Sequence, residues 1–139
     1  MNDSGRPIDA FFYGLFMDPV VLEKLGVAGI DARPAYVNDY ALRIGNKATL
    51  IPSPGDRAFG VVYSMTRSDV DHLYAGPGLE AYRAEQMEVT TLNGNRIDAV
   101  CYNLSEAPAA HERNAEYADQ LRVALAAWEF PADYIDGIR

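Results

Sequence analysis

One cysteine, Cys101, is all the sulfhydryl chemistry this chain of 139 residues has. An internal disulfide is therefore excluded, and the usage suits a reducing compartment. No run approaches the ~20 apolar residues that a membrane-crossing helix needs, so no membrane partner is expected. The opening segment, Met1 to Arg6, is polar and lacks the apolar core of a secretion signal. Export is not expected, and the cytoplasm is the expected location. Histidine is scarce: His72 and His111 stand far apart and show none of the Cys/His spacings of a zinc site. Positive charge is short as well, with 12 Lys and Arg against 20 Asp and Glu for a formal net charge of -8. The basic residues are scattered, which argues against a phosphate-tracking surface, so nucleic acid is not an expected partner.

Apolar residues make up 49% of the chain and aromatics 11%, enough for a proper core at this length. No repeat, low-complexity run or linker divides the sequence. One domain over residues 1–139 is expected, with residues 1–9 as a flexible lead. The oligomeric state is left open, a homodimer included.

Turn and cap chemistry punctuates the chain. Phe11 to Tyr13 read as the end of a buried strand and Gly14 as a turn. Asp18-Pro19 reads as a helix start, the carboxylate as N-cap and proline at the first helical position. That helix runs to about Leu25 and stops at Gly26. Short β-rich segments follow at Ala35–Val37, Tyr40–Ile44 and Ala48–Ile51, with Gly45-Asn46 as a tight turn. Pro54-Gly55 reads as a type II turn leading to a central strand, Phe59–Met65. Thr66 with Asp69 resembles a capping box for a short helix to about Tyr74. Asn93-Gly94 joins Gln86–Leu92 to Ile97–Leu104 as a hairpin. A helix from about Asn114 to Trp128 carries Tyr117, Leu121, Leu125 and Trp128 along one face, and Pro131 opens a last short turn. Strands fill the middle and helices mark the ends, so a parallel alternating sheet is disfavoured. The expected fold is α+β: a small, mostly antiparallel sheet or barrel flanked by helices.

The most informative stretch is Tyr13-Gly14-Leu15-Phe16-Met17 with Asp18-Pro19 behind it. A strand, a glycine turn and a helix N-terminus in succession can bind an anion through backbone N–H groups. Taken alone, the segment reads more simply as an ordinary strand-to-helix connection.

Four segments, in order, resemble the γ-glutamylcyclotransferase-like (AIG2-like) superfamily. Tyr13-Gly14-Leu15-Phe16-Met17 matches a Tyr-Gly-Ser/Thr loop. Ala48-Thr49-Leu50-Ile51-Pro52-Ser53-Pro54-Gly55-Asp56 with Phe59-Gly60-Val61-Val62-Tyr63 matches a strand pair. Leu73 to Tyr82 matches Leu-Asp-x-x-Glu-Gly with a later Tyr, and Tyr117 through Trp128 to Pro131 and Tyr134 matches the C-terminal helix. The resemblance implies a small β-barrel with a pocket at the Tyr13–Met17 loop, where the α-carboxylate end of a γ-glutamyl group binds. It implies a transferase or lyase reaction without metal or cofactor: the free α-amine attacks the γ-carbonyl, 5-oxoproline forms and an amine leaves. One tuned carboxylate moves the protons, and backbone N–H groups stabilise the oxyanion.

Here the sequence departs from the pattern. With Leu73 and Gly78 aligned, Pro77 occupies the glutamate position and Tyr74 the aspartate position. Proline has no ionisable group, and general acid–base catalysis is worth ~10²–10⁴-fold. Glu80 and Glu85 are the substitute candidates, although each reads more simply as a solvated surface residue. Leu15 replaces the usual small hydroxyl residue. Tyr82 and Arg83 are further candidates for the pocket, Arg83 as a bidentate carboxylate partner. Arg43 and Lys47 bracket the Gly45-Asn46 turn and can supply positive charge. Cys101 reads as a packed thiol and the Tyr117–Trp128 stripe as a core face. Two functions follow: 5-oxoproline release from a γ-glutamyl amine or dipeptide, or binding of a small carboxylate-bearing metabolite by a catalytically lapsed relative.

Overall fold

The computed structural model describes residues 7–138. Five strands close into a barrel in the order β1-β3-β2-β4-β5. They are β1 (Pro7–Phe12), β2 (Ile30–Ile44), β3 (Ala48–Thr66), β4 (Tyr82–Thr91) and β5 (Arg96–Leu104). Every pairing is antiparallel except β1 against β5, which meet in parallel at Ala10 and Val100 and seal the barrel. The helices are α1 (Pro19–Lys24), α2 (Arg67–Tyr74), α3 (Ala115–Ala127) and α4 (Ala132–Asp136). None of them is long and apolar enough to cross a membrane.

Local chemistry sets most boundaries. The Asp18 carboxylate accepts from the Val20 N–H at 2.9 Å with Pro19 behind it, so α1 starts where its cap lies. Thr66 caps α2 through the Asp69 N–H, and Asn114 caps α3 through the Tyr117 N–H. The β4–β5 hairpin turns at Asn93-Gly94, where the Gly94 N–H bonds the Thr91 carbonyl.

Three expectations change. The separate strands expected at 35–37 and 40–44 are one long β2, bent at a register shift between Asn38 and Tyr40. Ser53 to Asp56 are the irregularity in β3 that faces that shift, so the Pro54-Gly55 turn lies inside one strand and does not end it. Of the flexible lead expected at 1–9, Pro7, Ile8 and Asp9 belong to β1, paired with Thr66, Met65 and Ser64, while residues 1–6 lie outside the described residues.

The barrel interior and the α3 face share one core. Phe11, Val61 and Val62 from the strands are fully buried with Leu22 of α1 and Leu121 and Leu125 of α3. Each such side chain contributes about 1.5–3 kcal/mol by leaving water. Packing α3 across the β1 end of the barrel brings Tyr117 onto the loop that follows β1.

Candidate functional site

A cavity of about 290 Å³ opens at the loop after β1. Its wall is assembled from five places in the chain. Phe12 to Phe16 come from the end of β1 and its loop, and Val21 comes from α1. Asn46, Lys47 and Ala48 come from the β2–β3 turn. Tyr74 and Leu79 come from α2 and the corner after it, running on to Tyr82 at the start of β4, and Tyr117 comes from α3.

The loop differs from the strand–turn–helix expected. A single turn of 3-10 helix, Leu15–Met17, stands between Gly14 and α1. It uses the Met17 N–H on the Gly14 carbonyl at 3.0 Å, and the Leu15 N–H bonds the Tyr117 phenol oxygen at 3.3 Å. Two of the four amides in residues 14–17 are therefore spent inside the protein. The N–H groups of Gly14 and Phe16 find no acceptor among the described residues. The first turn of α1 is capped by Asp18 itself, so no helix terminus is offered to a ligand. Met17, expected on the wall, is fully buried behind it. Its carbonyl accepts from the Tyr63 phenol at 2.8 Å and the Trp128 indole at 3.3 Å.

Four tyrosines line the space, and their hydroxyls divide into two pairs. Tyr13 donates to the Tyr102 carbonyl at 2.7 Å, and Tyr82 donates to the Ala48 carbonyl at 2.5 Å. Both hydroxyls thereby hold the barrel mouth together and present ring carbon to the cavity. Tyr117 accepts from Leu15 and keeps its own proton to donate. The Tyr74 hydroxyl makes no hydrogen bond among the described residues. Its ring is clamped by stacking on Tyr102 at 3.9 Å, by an edge contact with Phe16 and by a tilted contact with Tyr82. Burial pushes the phenols of Tyr13, Tyr74, Tyr82 and Tyr117 above the ordinary tyrosine value. At neutral pH all four are neutral donors and none is a base.

None of the residues on the wall is acidic. The corner after α2 explains why. Gly76-Pro77-Gly78-Leu79 is a tight turn closed by the Leu79 N–H on the Gly76 carbonyl at 3.3 Å. Gly78 has φ +84°, so proline at i+1 and glycine at i+2 are the residues a type II turn demands. Pro77 supplies turn geometry where the resemblance places an acid. Glu80 follows on the solvent side, fully exposed, with Oε1 accepting from the Gly78 N–H at 3.4 Å. Hydrogen bonds from the Glu80 and Gly78 backbone hold its carboxyl below the ordinary value, with a smaller contribution from Lys47. A proton shuttle at neutral pH needs the opposite shift.

Glu85 sits on β4 opposite Cys101, where the buried Asn103 amide donates to it at 3.3 Å. That places it against the β5 side of the barrel, off the cavity wall. Arg83 is exposed and turns its guanidinium back onto the Glu80 and Tyr82 carbonyls. Arg43 pins the 105–114 loop through the Ala109 carbonyl. Lys47 alone among the candidate cations reaches the wall. Cys101 is fully buried, and burial, with Glu85 nearby, pushes its thiol up. Among the described residues no cluster of His, Cys, Asp and Glu is arranged for a metal ion.

Tyr74, Tyr117 and Leu79 were not among the binding residues the sequence suggested. Tyr74 carried a visible signal, since it departs from the family aspartate. Tyr117 carried none, because an aromatic on a helix stripe reads as core until the packing of α3 is known.

The comparisons agree with this architecture. The model of the family "Gamma-glutamyl cyclotransferase, AIG2-like" matches residues 10–129. A solved structure described as a γ-glutamyl cyclotransferase superposes with a TM-score of 0.79 at 22% identity, covering 96% of this chain and 88% of that one. The human protein loc79017 superposes at 0.78 and 22%, covering 96% and 89%. A yeast γ-glutamyl cyclotransferase specific to glutathione superposes at 0.65 and 14%, covering 97% and 98%. No curated protein sequence matches the chain significantly. At these identities the structural likeness establishes the fold, and the family match over residues 10–129 establishes kinship: the chain belongs to the γ-glutamyl cyclotransferase, AIG2-like family.

Proposed function

We propose that this cavity binds a small carboxylate-bearing ligand, γ-glutamyl-like or amino-acid-derived, and that the chain does not close the 5-oxoproline ring at a useful rate. The observation that carries this is a wall with hydrogen-bond donors and no carboxylate. Gly14, Phe16, Tyr74 and Tyr117 all line the cavity and, among the described residues, their amides and hydroxyls are free to serve an acid as donors, and Lys47 on the same wall adds positive charge. Ring closure needs a group that takes a proton from the attacking amine and returns one to the leaving nitrogen. The phenols hold their protons too tightly for that, Pro77 has none, and Glu80 is an exposed, more acidic carboxyl outside the wall.

Purified protein is tested for thermal stabilisation by glutamate, 5-oxoproline and γ-glutamyl dipeptides, and in parallel for 5-oxoproline release. Stabilisation without turnover is the expected result. Turnover abolished by Glu80→Gln or by Glu85→Gln would replace this proposal with a relocated general base. No stabilisation by any acid would remove the binding site.

A further inference from the structure

We infer that the part of the ligand beyond its acid group is apolar, an aryl or branched alkyl body, so that the cavity selects hydrophobic carboxylic acids. This rests on the acid-binding proposal above and adds the chemistry of the rest of the molecule.

The Gly14 and Phe16 amides belong to the loop that the Tyr117 hydroxyl touches, so these three donors are neighbours. Apart from the Tyr74 hydroxyl and the Asn46-Lys47 turn, the rest of the wall is carbon. Tyr13 and Tyr82 have their hydroxyls committed to main-chain carbonyls, so they offer only ring. Leu15 stands where a small hydroxyl residue was expected and Leu79 closes the corner, both on the wall. A polar body such as a second amino acid would lose its hydration against these rings and leucines and find only the Tyr74 hydroxyl and the Asn46-Lys47 turn as partners.

Size points the same way. An apolar cavity of ~150 Å³ suffices for benzene, so about 290 Å³ holds an acid group and one ring-sized body. A cation would also favour aromatic walls, but it would meet no carboxylate and would share the rim with Lys47. Moving a phenyl ring from water onto such a wall is worth about 10- to 100-fold in affinity.

Calorimetric titration of the full chain at neutral pH with four probes tests this: 3-phenylpropanoate, propanoate, glutarate and 3-phenylpropylamine. The expected result is 3-phenylpropanoate binding at least tenfold tighter than propanoate or glutarate, with no binding of the amine. Propanoate or glutarate binding as tightly as 3-phenylpropanoate overturns the apolar body and leaves the acid site standing. Binding of the amine alone, or of none of the four, overturns both. Leu15→Ser and Leu79→Ser, each confirmed folded by its melting curve, should cut the preference severalfold. An unchanged preference in both variants also overturns the inference.

Discussion

The phenol oxygen of Tyr117 lies 3.3 Å from the Leu15 amide nitrogen, joining residues 102 positions apart in the chain. That one contact fixes the loop after β1 against α3 and decides which donors the cavity keeps. Tyr117→Phe keeps the ring and removes the acceptor, stranding a part-buried N–H. A loss of about 1 kcal/mol in unfolding free energy is expected, read by chemical denaturation. Acid binding should weaken severalfold in the same variant, read by titration, because a ligand donor leaves with the hydroxyl.

Gly14 is placed so that an added Cβ would run into the Tyr117 hydroxyl. Gly14→Ala should therefore cost about 1–3 kcal/mol by overpacking. Combined with Tyr117→Phe, part of that cost should be recovered, since the double variant has no oxygen to clash with. A double-mutant cycle checks this, and strictly additive losses would show that the two residues do not collide.

Much of this architecture was readable from local chemistry. Asp18-Pro19, Thr66 with Asp69, and Asn93-Gly94 carry their structural meaning within a few residues, and α1, α2 and the β4–β5 hairpin start or turn there. Barrel closure, in which Ala10 meets Val100 in parallel, depends on registers set across the whole sheet and leaves no local trace. The site divides the same way. Pro77 was legible as a missing acid from its alignment with Leu73 and Gly78. The spending of the Leu15 and Met17 amides was not, because it follows from a 3-10 turn and from the docking of Tyr117.

Asn103 is a buried amide whose Oδ1 accepts from the Leu50 N–H at 3.2 Å while its Nδ2 donates to Glu85. Asn103→Leu would leave the Leu50 N–H without that acceptor inside the barrel. A loss of about 1–3 kcal/mol is expected. Glu85→Gln should cost far less, since that side chain is exposed and an amide oxygen still accepts. Comparable losses in the two variants, measured by denaturant titration, would contradict this placement of Glu85.

Stability should be flat from neutral pH to about 9 and fall above it. The buried phenols of Tyr13, Tyr74, Tyr82 and Tyr117 are raised by desolvation, and Tyr63 and Tyr134 are each pushed up to about 12. Below an unfolded value of 10.0 both states hold these protons. Above it the unfolded chain releases them while the folded chain keeps them, so unfolding becomes easier as pH rises through about 10 to 12. Cys101, raised from 9.0, brings the onset down slightly. Melting curves followed by circular dichroism at pH 7, 9, 10 and 11 check the window. In Cys101→Ala the shoulder just above pH 9 should disappear, and a decline already present between pH 7 and 8 would refute the assignment.

Restoring the acid at the corner gives the sharpest test of why ring closure should be weak. Pro77 sits at i+1 of a type II turn whose i+2 position is Gly78, and glutamate is tolerated at i+1 at a cost of about 0.4–1 kcal/mol in chain entropy. Leu79 of the same turn lines the cavity while position 77 is exposed, so a glutamate there has to extend back along the turn to reach the wall. If the proton shuttle is what the site lacks, Pro77→Glu should raise 5-oxoproline release from a bound γ-glutamyl compound by about 10²-fold or more over the parent chain. Pro77→Gln, with the same reach and no titratable group, should raise it not at all. Equal rates in the two variants, with ligand binding intact, would mean that Leu15 and the spent Leu15 and Met17 amides cost the chain its chemistry, and that the missing glutamate alone did not.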